Sequence, residues 1–154
     1  AYDIDKINGD SLYVRLAKPG ETFSAVNEKT YDLAADMLVI ADADGAEDLA
    51  GVMGGERTGV SADTTRMFLE IAIFDPISVA TTGRKLNLHS DARYRFERGL
   101  DAAAPQIMAG HIARLVTSIC GGTASHLVEA GRGGGWQRQI DFSPEKLKRR
   151  TGVD

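Results

Sequence analysis

The chain has 154 residues, 43% of them hydrophobic and 26% charged, the length and composition of one folded domain rather than a disordered tail or a fibre. Eighteen Lys and Arg stand against 22 Asp and Glu, a net charge of -4, which argues against a protein that binds nucleic acid through diffuse phosphate contacts. Charges cut every apolar stretch well short of the roughly 18 residues a membrane helix needs, no basic-then-apolar leader opens the chain, and the single cysteine, Cys120, excludes an internal disulfide framework and a Cys-rich zinc site. A cytoplasmic protein with no membrane partner is expected.

In chain order, residues 11–16 alternate apolar and polar before Pro19-Gly20, which predicts a half-buried strand entering a turn. Residues 23–26, a turn at Asn27-Glu28-Lys29, residues 31–33 and the apolar run 37–40 before Asp44-Gly45 predict short antiparallel strands joined by tight turns. A further strand is expected over 49–53, ending in the cluster Gly51, Gly54, Gly55, Gly59, and the run 67–74 has the apolar character of a long strand central to a sheet. Asp75 followed by Pro76 is an N-cap before a first-turn proline, so a short helix to about Leu86 is predicted. Asp101 is placed to cap a second helix that runs to Gly121-Gly122; Ile107, Met108, Ile112, Leu115, Val116 and Ile119 recur at helical spacing and should pack on the sheet. Residues 131–135 have linker composition, and residues 136–154 are expected to hold a strand and a helix opened by Ser143-Pro144-Glu145, as the start of another module.

The cluster GVMGGERTG invites comparison with a phosphate loop. Gly54 and Gly59 have the right separation, but Val60-Ser61 follows where Lys and Ser or Thr are required. A structural turn and a loop that lets a ligand approach the backbone both remain open. Glu70, inside an apolar run, is either a strand carboxylate facing solvent or an arginine, or a pocket carboxylate that accepts hydrogen bonds from a ligand. His89, His111 and His126 have no metal-ligand spacing, so no metal site is expected, and Cys120 lies about 900° around a helix from His111, which excludes a dyad. Arg93-Tyr94-Arg95-Phe96-Glu97-Arg98 interleaves rings and guanidinium groups as a base-stacking surface does, yet with Asp91 and Glu97 at hand intramolecular pairing of Arg95 and Arg98 is the stronger expectation.

Taken together, GVMGGERTGVSADTTRMFLEIAIFDP at 51–76 and SDARYRFERGLD at 90–101, with AYDIDKI at 1–7, VRLAKPGE at 14–21 and LVIADADG at 38–45, resemble the central editing domain of the phenylalanine-tRNA ligase beta chain. The resemblance covers essentially residues 1–130; WQRQIDFSPEKLKRRTGVD at 136–154 resembles the opening of that family's next module. It implies a mixed α+β fold, a layered β/β/α sandwich of short, largely antiparallel strands with helices on one side. It also implies a parent α2β2 ligase with an alpha-chain partner and tRNA(Phe), whose ATP and Mg2+ are bound elsewhere, and in which this domain hydrolyses wrongly attached tyrosine. In that family a glutamate recognises the phenolic hydroxyl, and the matching residue is Glu70; Gly54 and Ala92 match small residues that leave room for the aminoacyl group, and Ser90 stands where Thr is common. The family's histidine, in a His-Ala-Phe/Tyr-Asp motif, would precede Ala1, so no catalytic base is assigned, and the chain by itself is expected to be inactive and to bind tRNA weakly. A scaffold role in the beta chain, or a stand-alone relative without ligase function, is the alternative.

Overall fold

Short apolar segments punctuated by turn residues make the first half of the chain a set of antiparallel pairings. In the computed structural model, which describes residues 1–131 and 139–153, β2 (Tyr13–Leu16), β5 (Leu38–Ala41), β6 (Ala46–Leu49) and β7 (Met53–Gly54) form one sheet in the order β2-β5-β6-β7. Tyr13 pairs with Ala41 and Leu16 with Leu38; Val39 pairs with Leu49, and a register shift at Ile40/Ala41 precedes the Asp42-to-Gly45 turn. A hairpin of β3 (Thr22–Ser24) and β4 (Thr30–Asp32) lies beside it, and β1 (Tyr2–Asp3) pairs with β8 (Met67–Phe68). Two single bridges, Ala25 to Gly55 and Tyr2 to Gly59, tie these smaller sheets to the glycine cluster.

The core forms where the inward positions of the four-stranded sheet meet the hairpin and the first helix. Phe23, Val39, Leu49, Val52 and Val79 are all but sealed from solvent, and such side chains each contribute about 1.5–3 kcal/mol on burial. Helix α1 (Pro76–Lys85) begins as its sequence requires: the Asp75 carboxylate accepts from the Ser78 amide at 2.7 Å. Helix α2 (Asp91–Phe96) follows, capped by Ser90, and packs on α1, where the buried Arg93 side chain lies directly on Gly83. Helix α3 (Ala104–Cys120) and helix α4 (Pro144–Thr151), capped by Ser143, follow, and with two 3-10 turns at Ile4–Lys6 and Asn8–Asp10 the described elements make a mixed α+β fold.

Several expectations need correction. Residues 49–53 are not one strand: Leu49 ends β6, Met53 begins β7 and residues 50–52 are the turn between them, where the Val52 amide donates to the Leu49 carbonyl at 2.7 Å and Gly51 has a φ of 71°. The run 67–74 is not a central strand; only Met67–Phe68 pairs, with β1, and both side chains are exposed. Helix α3 is present, but Asp101 does not cap its first turn; its carboxylate accepts from the Ala103 amide instead. Its apolar stripe is not core either: Met108, Leu115 and Ile119 are 42%, 59% and 73% exposed. The helix is half-covered along Pro105, Ala109, Ile112, Ala113, Val116 and Thr117. The strand expected after Trp136 falls partly on residues outside the described ones; residues 139–142 form none.

Candidate functional site

The glycine cluster lies where the backbone is crowded. At Gly51 an added Cβ would stand 2.9 Å from a Phe74 ring carbon and 3.0 Å from Val79, and at Gly55 it would stand 2.5 Å from the Glu47 carbonyl oxygen; the space is already taken by the sheet. The Gly55 and Gly59 amides donate to the Glu47 and Glu56 carbonyls. They are therefore committed to the fold and do not converge on an anion as phosphate-loop amides do.

What the cluster creates is a cavity of about 390 Å³ beside the β6–β7 turn. Its walls come from the 51–54 turn, the segment 70–74, the first turns of α3, and Ala92 and Phe96 of α2. Phe74 and Phe96 meet at a ring separation of 5.2 Å and close one side. Of the residues singled out in the sequence, Glu70, Gly54 and Ala92 line this one cavity. Ser90 does not line it: its hydroxyl donates to the Val52 carbonyl and accepts from the Arg93 amide, which fixes the start of α2, and so Ala92, against the β6–β7 turn. Small residues at 51, 54, 72, 92 and 104 leave the volume open, and the lining side chains are apolar except for Asp48 and Glu70.

These two carboxyls and one phenol form the polar end. The buried Tyr2 hydroxyl donates to Glu70 Oε2 at 3.0 Å, an approach made possible by the Tyr2–Phe68 pairing that brings β1 beside residue 70. Burial pushes the Glu70 carboxyl up from the ordinary glutamate value, and the Tyr2 hydrogen bond opposes part of the rise. Asp48 points to the same side because β6 alternates, with Glu47 and Leu49 buried and Ala46 and Asp48 partly exposed. Burial, and then the neighbouring Glu70, push Asp48 up to about 8. Tyr2 is raised as well, by burial and then by Asp48 and Glu70. Sequence reasoning singled out neither Asp48 nor Tyr2. Asp48 sits in the polar stretch Ala46-Glu47-Asp48, without the apolar alternation that announces a strand, and the partnership of Tyr2 spans 68 residues.

Other charged groups serve the fold. Arg57 bonds Asp42, Glu47 and the Lys6 carbonyl, and Thr58 donates to Glu47 at 2.9 Å, so the buried carboxylates behind the sheet are paired. Arg95 pairs with Asp91 at 3.7 Å, Arg98 with Glu97 at 3.1 Å, and Arg98 also lies over the Tyr94 ring at 3.7 Å, so the basic-aromatic stretch is internally partnered. His89, His111, His126 and Cys120 are exposed. Among the described residues no three His, Cys, Asp or Glu side chains gather as a metal-holding group, and no helix is long and apolar enough to cross a membrane.

Residues 1–121 match the family described as the B3/4 domain. Over 153 residues, 99% of this chain, the sequence is 46% identical to a phenylalanine–tRNA ligase beta subunit of Paramagnetospirillum magneticum. It is 43% identical over 152 residues to the beta subunit of Rhodospirillum rubrum, and 43% identical over 154 residues to that of Novosphingobium aromaticivorans. The chain spans 19% of the length of each of these relatives.

Proposed function

The chain belongs to the B3/4 domain family, and from that premise we propose that it is the editing region of a phenylalanine–tRNA ligase beta subunit, whose cavity receives tyrosine wrongly esterified to tRNA(Phe) for hydrolysis. The observation that carries this reading is the position of Glu70: a half-buried carboxyl on the wall of an apolar cavity, with Gly54 and Ala92 on the walls around it. An aromatic ring entering such a cavity gains from apolar burial, and a phenolic hydroxyl arriving at its polar end meets an acceptor already desolvated. Phenylalanine in the same place offers no donor to the Glu70 oxygen that Tyr2 leaves unbonded, and a site built to bond a hydroxyl discriminates strongly against the analogue lacking it.

The reaction is attack of water on the ester carbonyl, which releases the amino acid and leaves the tRNA with its free terminal hydroxyl. In this reading the chain contributes recognition and confinement of the side chain; no residue of it is assigned as the base. The alpha chain, the tRNA, and the ATP and Mg2+ of the synthetic reaction in a cytoplasmic ligase belong to the same proposal, and ATP and Mg2+ are held outside this domain. The exposed stripe Met108, Leu115, Ile119 on α3 supports a bracing role beside editing, because a row of apolar side chains at helical spacing is suited to packing against another element.

The test is Glu70→Ala in the complete ligase, with hydrolysis of tyrosyl- and phenylalanyl-tRNA(Phe) measured separately. Preference for the tyrosyl ester should fall by at least about tenfold, the equivalent of one hydrogen bond to a charged group. Unchanged hydrolysis of both esters would refute the editing role and leave the bracing one.

A further inference from the structure

A hydroxyl carries one proton to give and lone pairs to receive, so Glu70 as an acceptor answers only half of its hydrogen-bonding capacity. The other half needs a donor at the same end of the cavity. Apart from Glu70, the only polar side chain lining the cavity among the described residues is Asp48. Its place follows from strand register: Asp48 pairs with Gly54, and a Cβ at 54 would stand 3.4 Å from Asp48 Oδ2. With hydrogen there instead, the carboxyl is left uncovered on the cavity side. No group among the described residues hydrogen-bonds it or forms an ion pair with it, whereas Glu70 Oε2 already receives the Tyr2 hydroxyl. Tyr2 thus fixes one oxygen of Glu70 and leaves Oε1 for a ligand.

We propose that Asp48 is a second specificity-determining residue of this cavity, donating a hydrogen bond to the oxygen of the ligand's phenolic hydroxyl while Glu70 accepts that hydroxyl's proton. This rests on the editing reading above and adds to it a donor within the chain. Two neighbouring carboxyls in an apolar wall do not both ionise near neutrality, and the pair retains one proton. The charged group that faces Asp48 is Glu70, which together with burial favours its neutral form; the Tyr2 hydroxyl, itself raised by burial and then by Asp48 and Glu70, stays uncharged at neutral pH. The facing parts of β7, α2 and α3 present Met53, Gly54, Ala92, Phe96, Ala104 and Met108, none of them titratable. With the carboxyl pushed up to about 8, Asp48 holds the proton at neutral pH, and the donor disappears as the pH passes that value.

The experiment uses the complete ligase, alpha and beta chains together, in single-turnover hydrolysis of tyrosyl- and phenylalanyl-tRNA(Phe) from about pH 6.5 to pH 9. The readout is the ratio of the two kcat/KM values, which cancels the intrinsic pH dependence of ester cleavage. The wild-type ratio should fall about tenfold between pH 7 and pH 9, a hydrogen bond's worth of discrimination. Asp48→Asn, whose amide donates without titrating, should hold the pH 7 ratio within about threefold and abolish the decline; Asp48→Ala should lose about tenfold at pH 7. A flat wild-type profile, or a wild-type ratio in Asp48→Ala, overturns the proposal. Retention of the full ratio by Glu70→Ala overturns the editing reading beneath it; loss in Glu70→Ala beside an unchanged Asp48→Ala overturns the role of Asp48 alone.

Discussion

Gly83, in the interior of α1, sets two physical effects against each other. Replacing a helical glycine by alanine ordinarily stabilises by about 1 kcal/mol through lost backbone freedom in the unfolded chain. Here the new Cβ would stand 2.3 Å from Arg93 Cδ, 2.4 Å from its Nε and 2.8 Å from its Cζ. An exposed arginine would swing away at little cost, but Arg93 is buried and held at both ends of its guanidinium. Nη1 donates to the Leu88 carbonyl at 2.6 Å, and Nε donates to Glu97 at 3.0 Å. A shift of about 1 Å to restore ordinary contact sacrifices both bonds, each worth about 1.5–3 kcal/mol for a charged donor. The loss outweighs the helical gain, and Gly83→Ala should destabilise by about 2–4 kcal/mol, or roughly 5–15 °C in Tm at this size. Urea denaturation of wild type, Gly83→Ala, Arg93→Ala and the double variant measures this directly. In the Arg93→Ala background the glycine substitution should revert to neutral or stabilising, because the obstacle is gone. A Gly83→Ala protein as stable as wild type would refute the reasoning and show that Arg93 can leave its site without cost.

Two further outcomes test the rest of the frame. The Arg15 guanidinium bonds Glu21 through both nitrogens, at 2.8 and 2.6 Å, and holds its carboxyl down at about 2. The folded value lies below the unfolded one, so the stabilisation is fully present above about pH 4.5 and is lost as the pH falls through 2. Glu21→Gln should therefore flatten the acid limb of the stability curve by about 1–3 kcal/mol, read from urea midpoints at pH 5.5 and pH 2; parallel curves would remove the assignment. Leu115→Asp should cost this chain less than about 1 kcal/mol, since Leu115 is largely exposed. A loss of several kcal/mol in the same assay would place the α3 stripe in a core.

Local chemistry made much of the fold legible. Asp75-Pro76 announces α1 because cap and first-turn proline act within four residues, and Asn27-Glu28-Lys29 announces the β3–β4 turn, where Asn27 Oδ1 accepts from the Lys29 amide and Glu28 takes a φ of 63°. Apolar runs were less informative because apolarity does not say what covers a residue. Ile71, Ala72 and Ile73 belong to a run with the composition of a buried strand, yet they line the cavity. The α3 periodicity located a helix correctly, while the exposure of Leu115 and Ile119 depends on what packs against them. Glu70 was legible as an anomaly, one charge among aliphatic neighbours. Asp48 was not, since a carboxyl among Glu47, Asp44 and Asp42 has nothing local to distinguish it from a solvated turn.

The sheet and the cavity are therefore one construction. The β6–β7 pairing sets residue 54 opposite Asp48, and the Gly51 turn lets the chain reverse against Phe74 and Val79 without a side chain in the way. A larger residue at 54 would cover Asp48 and fill the space next to it, so the same position controls both room for a ligand ring and access to the carboxyl. Ser90 joins the two halves by bonding the Val52 carbonyl while it caps α2, which ties the position of Ala92 to that of the turn. A change in the turn conformation moves the apolar wall and the polar end together. For that reason a substitution such as Gly54→Ala acts on the cavity through geometry that the sheet imposes, and its effect on ring binding is inseparable from its effect on Asp48.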